Sequence, residues 1–221
     1  MARDRAGQRA LADAPLDPAR TCLLLFDFLE GHVRRDDASW SRYRPVIANA
    51  EALLHAAREV GAMVVHACAD HRADGGTTAR TLRDTNNRLR PIASDDPAAH
   101  RPAIFAGTAE ARIVRELAPE PDDFIVPKHR WSAFHGTFLE VALRVRHVDT
   151  LVLCGGSTDV GIASTAYAAR DLDYNLLVVN DACTSPEDDN HRQLMERIFP
   201  RMSRVRSTAD VLGLLLAEGV R

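Results

Sequence analysis

Short, almost uniformly apolar runs alternate with segments of helical periodicity along most of this chain. The first such unit consists of TCLLLFDF at residues 21–28, VIANAEALLHAAREVG at 46–61 and AMVVHACAD at 62–70. These segments predict a strand, a helix that ends at the capping glycine Gly61, and a second strand. Strands that are apolar at nearly every position are typical of parallel sheets with helices on both faces. The pattern therefore predicts the α/β class.

The same alternation resumes in the second half of the chain. DFIVPK, DTLVLCGG and YNLLVVND predict strands, and MSRVRS predicts a short one. The predicted strands lie at residues 123–128, 149–156, 174–181 and 202–207, and helices are predicted near 108–117, 137–146, 160–173, 187–199 and 207–218. Residues 71–101, which include RADGG and RPIASDDPAAHRP, are irregular. A connection of this length predicts the rim of an active site.

The size, charge and cysteine content of the chain favour a single-domain protein that binds neither nucleic acid nor a membrane. The 221 residues fit one domain, which we place at residues 21–221 after an N-terminal arm of residues 1–20. Charges are mixed and sum to −3, which argues against nucleic-acid or polybasic membrane binding. We expect no signal peptide, because residues 1–20 lack an apolar core, and no bilayer-spanning segment, because no apolar run is long enough. The four cysteines form no Cys-x-x-Cys pair, so we expect buried, reduced thiols in a cytoplasmic protein.

Polar side chains follow several predicted strands, at the edge where α/β proteins bind ligands. Asp27 interrupts the first apolar run, and Lys128 ends the run FIVPK. Alone, Asp27 is equally well explained as a loop cap and Lys128 as a surface lysine. Together they indicate a site more strongly, because each charge lowers the other's cost of leaving water.

The sequence GGSTDVGIAST at residues 155–165 follows the fourth predicted strand and opens a predicted helix. The backbone N–H groups of Ser157 and Gly161 would lie at the positive end of this helix, where they can stabilise a developing negative charge. Thr158 or Asp159 is the predicted N-cap. The alternative is a tight turn from strand to helix that has no role in binding.

Taken together, LLLFDF, VPKHRWSAFHGTFLE, LVLCGGSTDVGIASTAYAARDLDY and VVNDAC resemble the isochorismatase-like hydrolase superfamily, often called cysteine hydrolases. The resemblance covers roughly residues 20–215. It implies a Rossmann-like, three-layer α/β/α fold with a six-stranded parallel sheet, assembled as a homodimer or homotetramer. Most members hydrolyse small C–N bonds with an Asp–Lys–Cys triad. The resemblance places the aspartate at Asp27 and the lysine at Lys128, whereas Gly161 occupies the cysteine position.

Glycine at this position also occurs in one branch of the superfamily, the isochorismatases, which cleave a vinyl ether. Their motif around the lysine is similar to KHRWSAF here. The resemblance implies that Asp27 acts as an acid toward the enol-ether carbon, with Lys128 as its electrostatic partner. Asp27 must be protonated at that step, and Lys128 by itself opposes this. Apolar surroundings such as Phe28 and Trp131, or a bound anionic substrate, must offset the effect.

Other features depart from the isochorismatases and leave the reaction open. Leu29 stands where that branch usually has glutamine, and HRADGG at residues 71–76 is similar to ureido- and carbamoyl-hydrolase relatives. One alternative is therefore an amidohydrolase on a ureido, carbamoyl or amide substrate, in which Asp27 activates water directly. Another is a catalytically inactive binding or assembly protein that kept the pocket after losing its nucleophile.

Further residues complete the predicted pocket for a small, carboxylate-bearing substrate. Arg72 and Arg130 are candidates to clamp a substrate carboxylate. Trp131 is a candidate for an aromatic wall. The remaining candidate substrate-binding residues are Phe28, His71 and Gly156.

The resemblance also bears on the backbone of the site and on metal binding. It implies a non-proline cis peptide bond between Gly156 and Ser157. Zinc-binding relatives use an Asp-x-His pair, whereas Asp70 and His71 are adjacent here. We therefore predict neither a catalytic metal nor another cofactor.

Overall fold

The computed structural model describes residues 14–78 and 104–217. These residues form a sheet of six parallel strands. The strands are β1 Thr21–Phe26, β2 Met63–Ala69, β3 Phe124–Lys128, β4 Thr150–Gly156, β5 Asn175–Thr184 and β6 Arg204–Arg206. Their order across the sheet is β3-β2-β1-β4-β5-β6. The predicted six-stranded parallel sheet is confirmed.

Helices cover both faces of this sheet. The α-helices in the described residues are α1 Glu30–Val33, α2 Asp37–Glu59, α3 Leu139–Val145, α4 Ala163–Asp171, α5 Asp188–Gln193 and α6 Thr208–Leu216. From β1 to β2 the chain moves across the sheet in one direction, and from β4 to β5 it moves in the other. Because such parallel crossovers are right-handed, α2 and α4 lie on opposite faces. Helix α6 packs beside α2, so the sheet is the middle of three layers.

Burial along the strands explains the apolar runs. Every residue of β1 and β4, the two central strands, is buried. Burial alternates in β3, an edge strand, where Ile125 and Pro127 are exposed while Val126 and Lys128 are buried. Proline within a strand is typical of a sheet edge, because it cannot donate a backbone hydrogen bond. Full burial thus requires apolar side chains along the central strands and leaves polar side chains to the strand ends.

The helix predicted near residues 108–117 is wrong. Only a 3₁₀ turn, Arg115–Leu117, forms there. Leu29 and Ile113 form an isolated antiparallel bridge, so the segment runs beside the loop that follows β1. This tertiary pairing replaces helical hydrogen bonds and leaves no signal in the local periodicity.

Helix α2 is longer than predicted. It begins at Asp37 rather than near residue 46. The carboxylate of Asp36 caps it by accepting a hydrogen bond from the N–H group of Ser39 at 2.7 Å. Pro45 lies inside the helix, although proline more often marks a helix start. The additional turns carry Tyr43 into the core.

Part of the predicted N-terminal arm packs onto the domain. Leu16 is buried, and its N–H group donates to the carbonyl of Leu214 in α6. Residues 1–13 of the arm and residues 79–101 of the predicted rim lie outside the described residues. Within the described part of the chain, no helix combines the length and hydropathy needed to cross a bilayer.

A buried histidine is expected to make the fold sensitive to acid. His66, in the middle of β2, is 1% exposed, and its Nε2 lies 3.3 Å from a carboxylate oxygen of Asp123. Burial lowers the pKa of His66, and the carboxylate of Asp123 opposes this only in part. The unfolded chain therefore binds this proton more readily than the folded chain. We expect the free energy of unfolding to decrease as pH falls below about 6.5, the ordinary histidine value.

Urea denaturation at about pH 7.5 and about pH 5.5 measures this loss of stability. His66→Gln should lose less stability than the wild type between the two values. The loss should not disappear, because burial also lowers the pKa of His32 and of His191. Equal losses in the variant and the wild type would contradict the role of His66.

Candidate active site

The carboxylate of Asp27 is fixed at the C-terminal edge of the sheet by the neighbouring strand. Asp27 directly follows β1 and has a positive φ of 52°, a conformation that aspartate adopts more readily than most residues. Its N–H group donates to the carbonyl of Ala67, and its Oδ1 accepts a hydrogen bond from the N–H group of Ala69 at 2.7 Å. Both partners belong to β2, so the register between β1 and β2 sets the position of the carboxylate.

Lys128 reaches the same carboxylate from β3, on the far side of β2. Its Nζ donates to Oδ2 of Asp27 at 2.7 Å. The side chains of Lys128 and Asp27 are only 5% and 11% exposed. Both oxygens of Asp27 thus accept hydrogen bonds within the protein, which compensates for the loss of water. A buried ion pair at the ligand-binding edge of a parallel sheet is a candidate catalytic centre.

An aromatic ring lies against this ion pair. The ring centroid of Phe26 is 4.3 Å from Nζ of Lys128, a cation–π contact. Phe26 is the last residue of β1 and is 1% exposed. Sequence analysis did not single it out. In the sequence it directly precedes Asp27 in LLLFDF, but nothing there distinguishes it from other core residues.

The turn after β4 brings the glycine-rich motif to the same place. The Gly156–Ser157 peptide bond is cis, as predicted. A Cβ atom at Gly155 would lie 2.1 Å from the carbonyl oxygen of Phe26, so β4 can pack against β1 here only through glycine. The next helix starts with a π-helical turn, Thr158–Ile162, that contains the buried Gly161. Such turns are frequent at functional sites.

Side chains from outside the motif hold this turn. The carboxylate of Asp159 accepts hydrogen bonds from the hydroxyl groups of Ser157 and Ser185, and from the side-chain amide of Asn190 at 2.8 Å. The predicted N-cap role of Thr158 or Asp159 is wrong, because Ser157 is the N-cap residue and no side chain caps the helix. The contacts with Ser185, directly after β5, and with Asn190, in α5, connect the turn to these two elements.

Removal of the Asp159 carboxylate is expected to destabilise the protein. Asp159→Ala leaves the partner hydroxyl and amide groups without their acceptor, which should reduce the free energy of unfolding by about 1–3 kcal/mol. Asp189→Ala is a matched control, because the Asp189 side chain is 85% exposed and pairs with Arg192 at the surface. The control should change stability by less than about 0.5 kcal/mol. Urea denaturation of both variants measures the difference, and equal effects would contradict the role of Asp159.

Three other predicted pocket residues are buried. His71 has its ring centroid 5.9 Å from that of His129. Phe28 is 2% exposed and packs edge-on against Tyr43 in the core. Gly156 is also buried, and a side chain at this position would meet the hydroxyl group of Tyr43. Phe28 and Gly156 therefore pack against Tyr43 in the core, whereas His71 lies beside His129 and Thr77.

The predicted carboxylate clamp and aromatic wall lie at the surface. Arg72 donates to the carboxylate of Asp74. Arg130 is exposed and donates to two backbone carbonyl groups. Trp131 is 41% exposed. The aromatic contact with the ion pair comes from Phe26 instead.

Ionisable side chains that sequence analysis missed lie near the ion pair. Burial lowers the pKa of His32, on which the charges of Asp27 and Lys128 act in opposite directions. Burial raises the pKa of the Tyr43 phenol, and Asp27 acts in the same direction. Both side chains are therefore neutral near pH 7. Across residues 14–78 and 104–217, no group of three or more His, Cys, Asp or Glu side chains is arranged to hold a metal ion.

Known proteins share this sequence pattern. Residues 21–210 match the model of the isochorismatase domain. The chain is 30% identical over 201 residues to YwoC of Bacillus subtilis (strain 168), an uncharacterised isochorismatase family protein. That match covers 89% of this chain and 95% of YwoC. It is 42% identical over 99 residues to YecD of Escherichia coli O157:H7, an uncharacterised protein of the same family. That match spans 45% of this chain and 53% of YecD.

A solved structure shares the fold over nearly its whole length. The crystal structure of a cysteine hydrolase from Pseudomonas syringae pv. phaseolicola 1448A superposes with a TM-score of 0.78 at 27% identity. The superposition covers 91% of this chain and 94% of that one. The sheet, the match over residues 21–210 and the similarity to YwoC all lead to one assignment. The chain belongs to the isochorismatase family of hydrolases.

Proposed function

We propose that this protein hydrolyses a small, carboxylate-bearing vinyl ether with water as the nucleophile and without a covalent enzyme intermediate. The observation that carries the proposal is the buried ion pair of Asp27 and Lys128, 2.7 Å apart, in a site where Gly161 provides no side chain. Glycine cannot form an acyl-enzyme. Acid–base chemistry by Asp27 and Lys128 therefore accounts for hydrolysis at this edge of the sheet.

Vinyl-ether hydrolysis requires a proton on carbon followed by the addition of water. In this proposal a proton moves from Nζ of Lys128 to Oδ2 of Asp27 and then to the terminal carbon of the double bond, which leaves an oxocarbenium ion. Water adds to the cationic carbon and returns a proton to Lys128. The resulting hemiketal breaks down to an alcohol and a keto acid, and the ion pair is restored.

The remaining groups of the site would orient the substrate. The backbone N–H groups of Ser157 and Gly161 are the proposed partners of a substrate oxygen, because they lie at the start of the helical segment that follows β4. Lys128 is the buried cation that a substrate carboxylate would meet. Arg72 and Arg130 are engaged with other groups, so this proposal does not depend on them.

Solvent deuterium distinguishes vinyl-ether hydrolysis from other hydrolyses. In D₂O, protonation of carbon places one deuterium in the methyl group of the keto acid, whereas hydrolysis of an amide leaves the carbon-bound hydrogens unchanged. We expect a mass increase of about 1 Da in the keto acid per turnover, because the proton donor exchanges with solvent. Mass spectrometry of the product measures it, with the keto acid incubated without enzyme as the control for later exchange. A product that carries no deuterium would exclude this reaction.

An amidohydrolase is the second candidate. Both oxygens of Asp27 accept hydrogen bonds, as expected for a carboxylate that acts as a base. Asp27 would then take a proton from the water that attacks a ureido, carbamoyl or amide carbonyl, and Lys128 would stabilise the oxyanion. Ammonia release from a panel of such compounds tests this activity. No turnover of either substrate class would favour a binding protein.

A further inference from the structure

The space that a side chain at position 161 would need is already filled. A Cβ atom on Gly161 would lie 2.1 Å from Cε1 and 2.5 Å from Cζ of Phe26. Carbon atoms that are not bonded approach to about 3.5–4.0 Å. The backbone of Gly161 is not in the left-handed region, so its conformation would accept a side chain. The ring of Phe26 is therefore the obstacle.

The ring of Phe26 has little freedom to move away. Phe26 is 1% exposed and belongs to the main hydrophobic core. Nζ of Lys128 lies over the ring at 4.3 Å from its centroid, and Asp27 follows directly in sequence. A displaced ring would remove the cation–π contact and disturb the neighbouring ion pair. A side chain at 161 and the present position of Lys128 are thus linked through Phe26.

We propose that Phe26 is the residue that determines the reaction type of this site: its ring occupies the place of a side chain at 161, excludes a nucleophile there, and supports the ammonium group of Lys128. The proposal rests on the proposed function only for the location of the reaction. It implies that glycine at 161 and phenylalanine at 26 are needed together. Packing around position 161 then excludes a nucleophile. A cysteine introduced there alone does not turn the site into one that uses a covalent nucleophile.

The first test adds one methyl group at 161. Gly161→Ala should lower the melting temperature by about 3–10 °C, because the new carbon overlaps a buried ring. Gly213→Ala is the matched control, since Gly213 lies in α6 and a Cβ atom there would contact nothing within 4 Å. The control should leave the melting temperature unchanged or raise it by up to about 4 °C, because alanine favours a helix over glycine. An unchanged or higher melting temperature for Gly161→Ala would overturn the proposal.

The second test removes the obstacle. Gly161→Cys and Phe26→Val are each expected to lower the melting temperature, and the double variant should lose clearly less than the sum of the two losses. A Gly161→Cys protein that does not fold, but folds with Phe26→Val, supports the proposal equally. Losses that simply add would overturn it.

The introduced thiol gives an independent measurement. In the double variant it should react with iodoacetamide at least about tenfold faster than in Gly161→Cys alone, with a midpoint below about pH 8.5, because Lys128 favours the thiolate. Phe26→Val alone supplies the background, since the four native cysteines are buried. Burial also raises the pKa of Cys68 and of Cys183 to about 12, so their thiols remain unreactive. Equal alkylation rates in the single and double variants would overturn the proposal.

These measurements separate this inference from the proposed function. Melting and alkylation need no substrate, so a failed search for vinyl-ether hydrolysis leaves their interpretation unchanged. Conversely, if the losses in melting temperature simply add, the proposed role of Phe26 is wrong, while the role of Asp27 is still decided by kinetics.

Discussion

Asp27→Asn is expected to reduce kcat/KM at least about 10³-fold, because both proposed reactions use this carboxylate to transfer a proton. Asparagine has nearly the same shape and can still accept the hydrogen bond that Ala69 donates to Oδ1. It cannot take or deliver the proton, and it removes the negative charge that faces Lys128. The expected loss therefore lies in kcat more than in KM.

The measurement uses the first vinyl ether or amide found to be turned over, with a melting curve to show that the variant is folded. Asp149→Asn is the matched control. Asp149 precedes β4 at the opposite edge of the sheet, where it pairs with Arg20, and its substitution should change kcat/KM by less than about threefold. If Asp27→Asn keeps more than about a tenth of wild-type activity, Asp27 does not carry the proton transfer.

Lys128→Met is expected to have the largest effect on stability. It leaves the Asp27 carboxylate buried with the N–H group of Ala69 as its remaining donor among the contacts described. Loss of one partner from a buried ion pair typically costs about 3–5 kcal/mol, because the other charge stays uncompensated. The double variant Asp27→Asn with Lys128→Met should recover much of this loss, since neither residue then carries a charge.

Urea denaturation of the two single variants and the double variant gives the coupling free energy. The exposed pair of Arg192 and Asp189 is the control, with side chains 64% and 85% exposed. Its coupling should stay below about 0.5 kcal/mol, as for other solvated pairs. A loss below about 1 kcal/mol for Lys128→Met, without recovery in the double variant, would show that the contact is not maintained in solution.

The fold was largely predictable because burial acts on every residue of the central strands. Strands β1 and β4 are covered on both faces, and this requirement produces uninterrupted apolar runs that can be recognised without a structure. The segment near residues 108–117 was not predictable in this way. Its backbone pairs with the loop after β1 through Leu29 and Ile113, and a contact between distant segments leaves no local periodicity.

The same contrast holds for the site. Asp27 and Lys128 could be named from the sequence because a charged residue at the end of an apolar strand is a local anomaly. Phe26 could not, because an aromatic residue inside an apolar run looks like any other core residue. Its contacts with Lys128 and with the space above Gly161 arise only when β1 and β3 and the turn after β4 come together.

The sequence by itself determined the α/β class, the parallel sheet, and the charged residues at the ends of β1 and β3. These follow from hydrophobic burial and strand polarity, which act along the chain. Only the tertiary structure decided that Asp27 and Lys128 form a buried ion pair, that Asp159 holds the turn after β4, and that Phe26 fills the place of a side chain at 161. The physical reason is that directional contacts and excluded volume depend on distances between segments far apart in sequence.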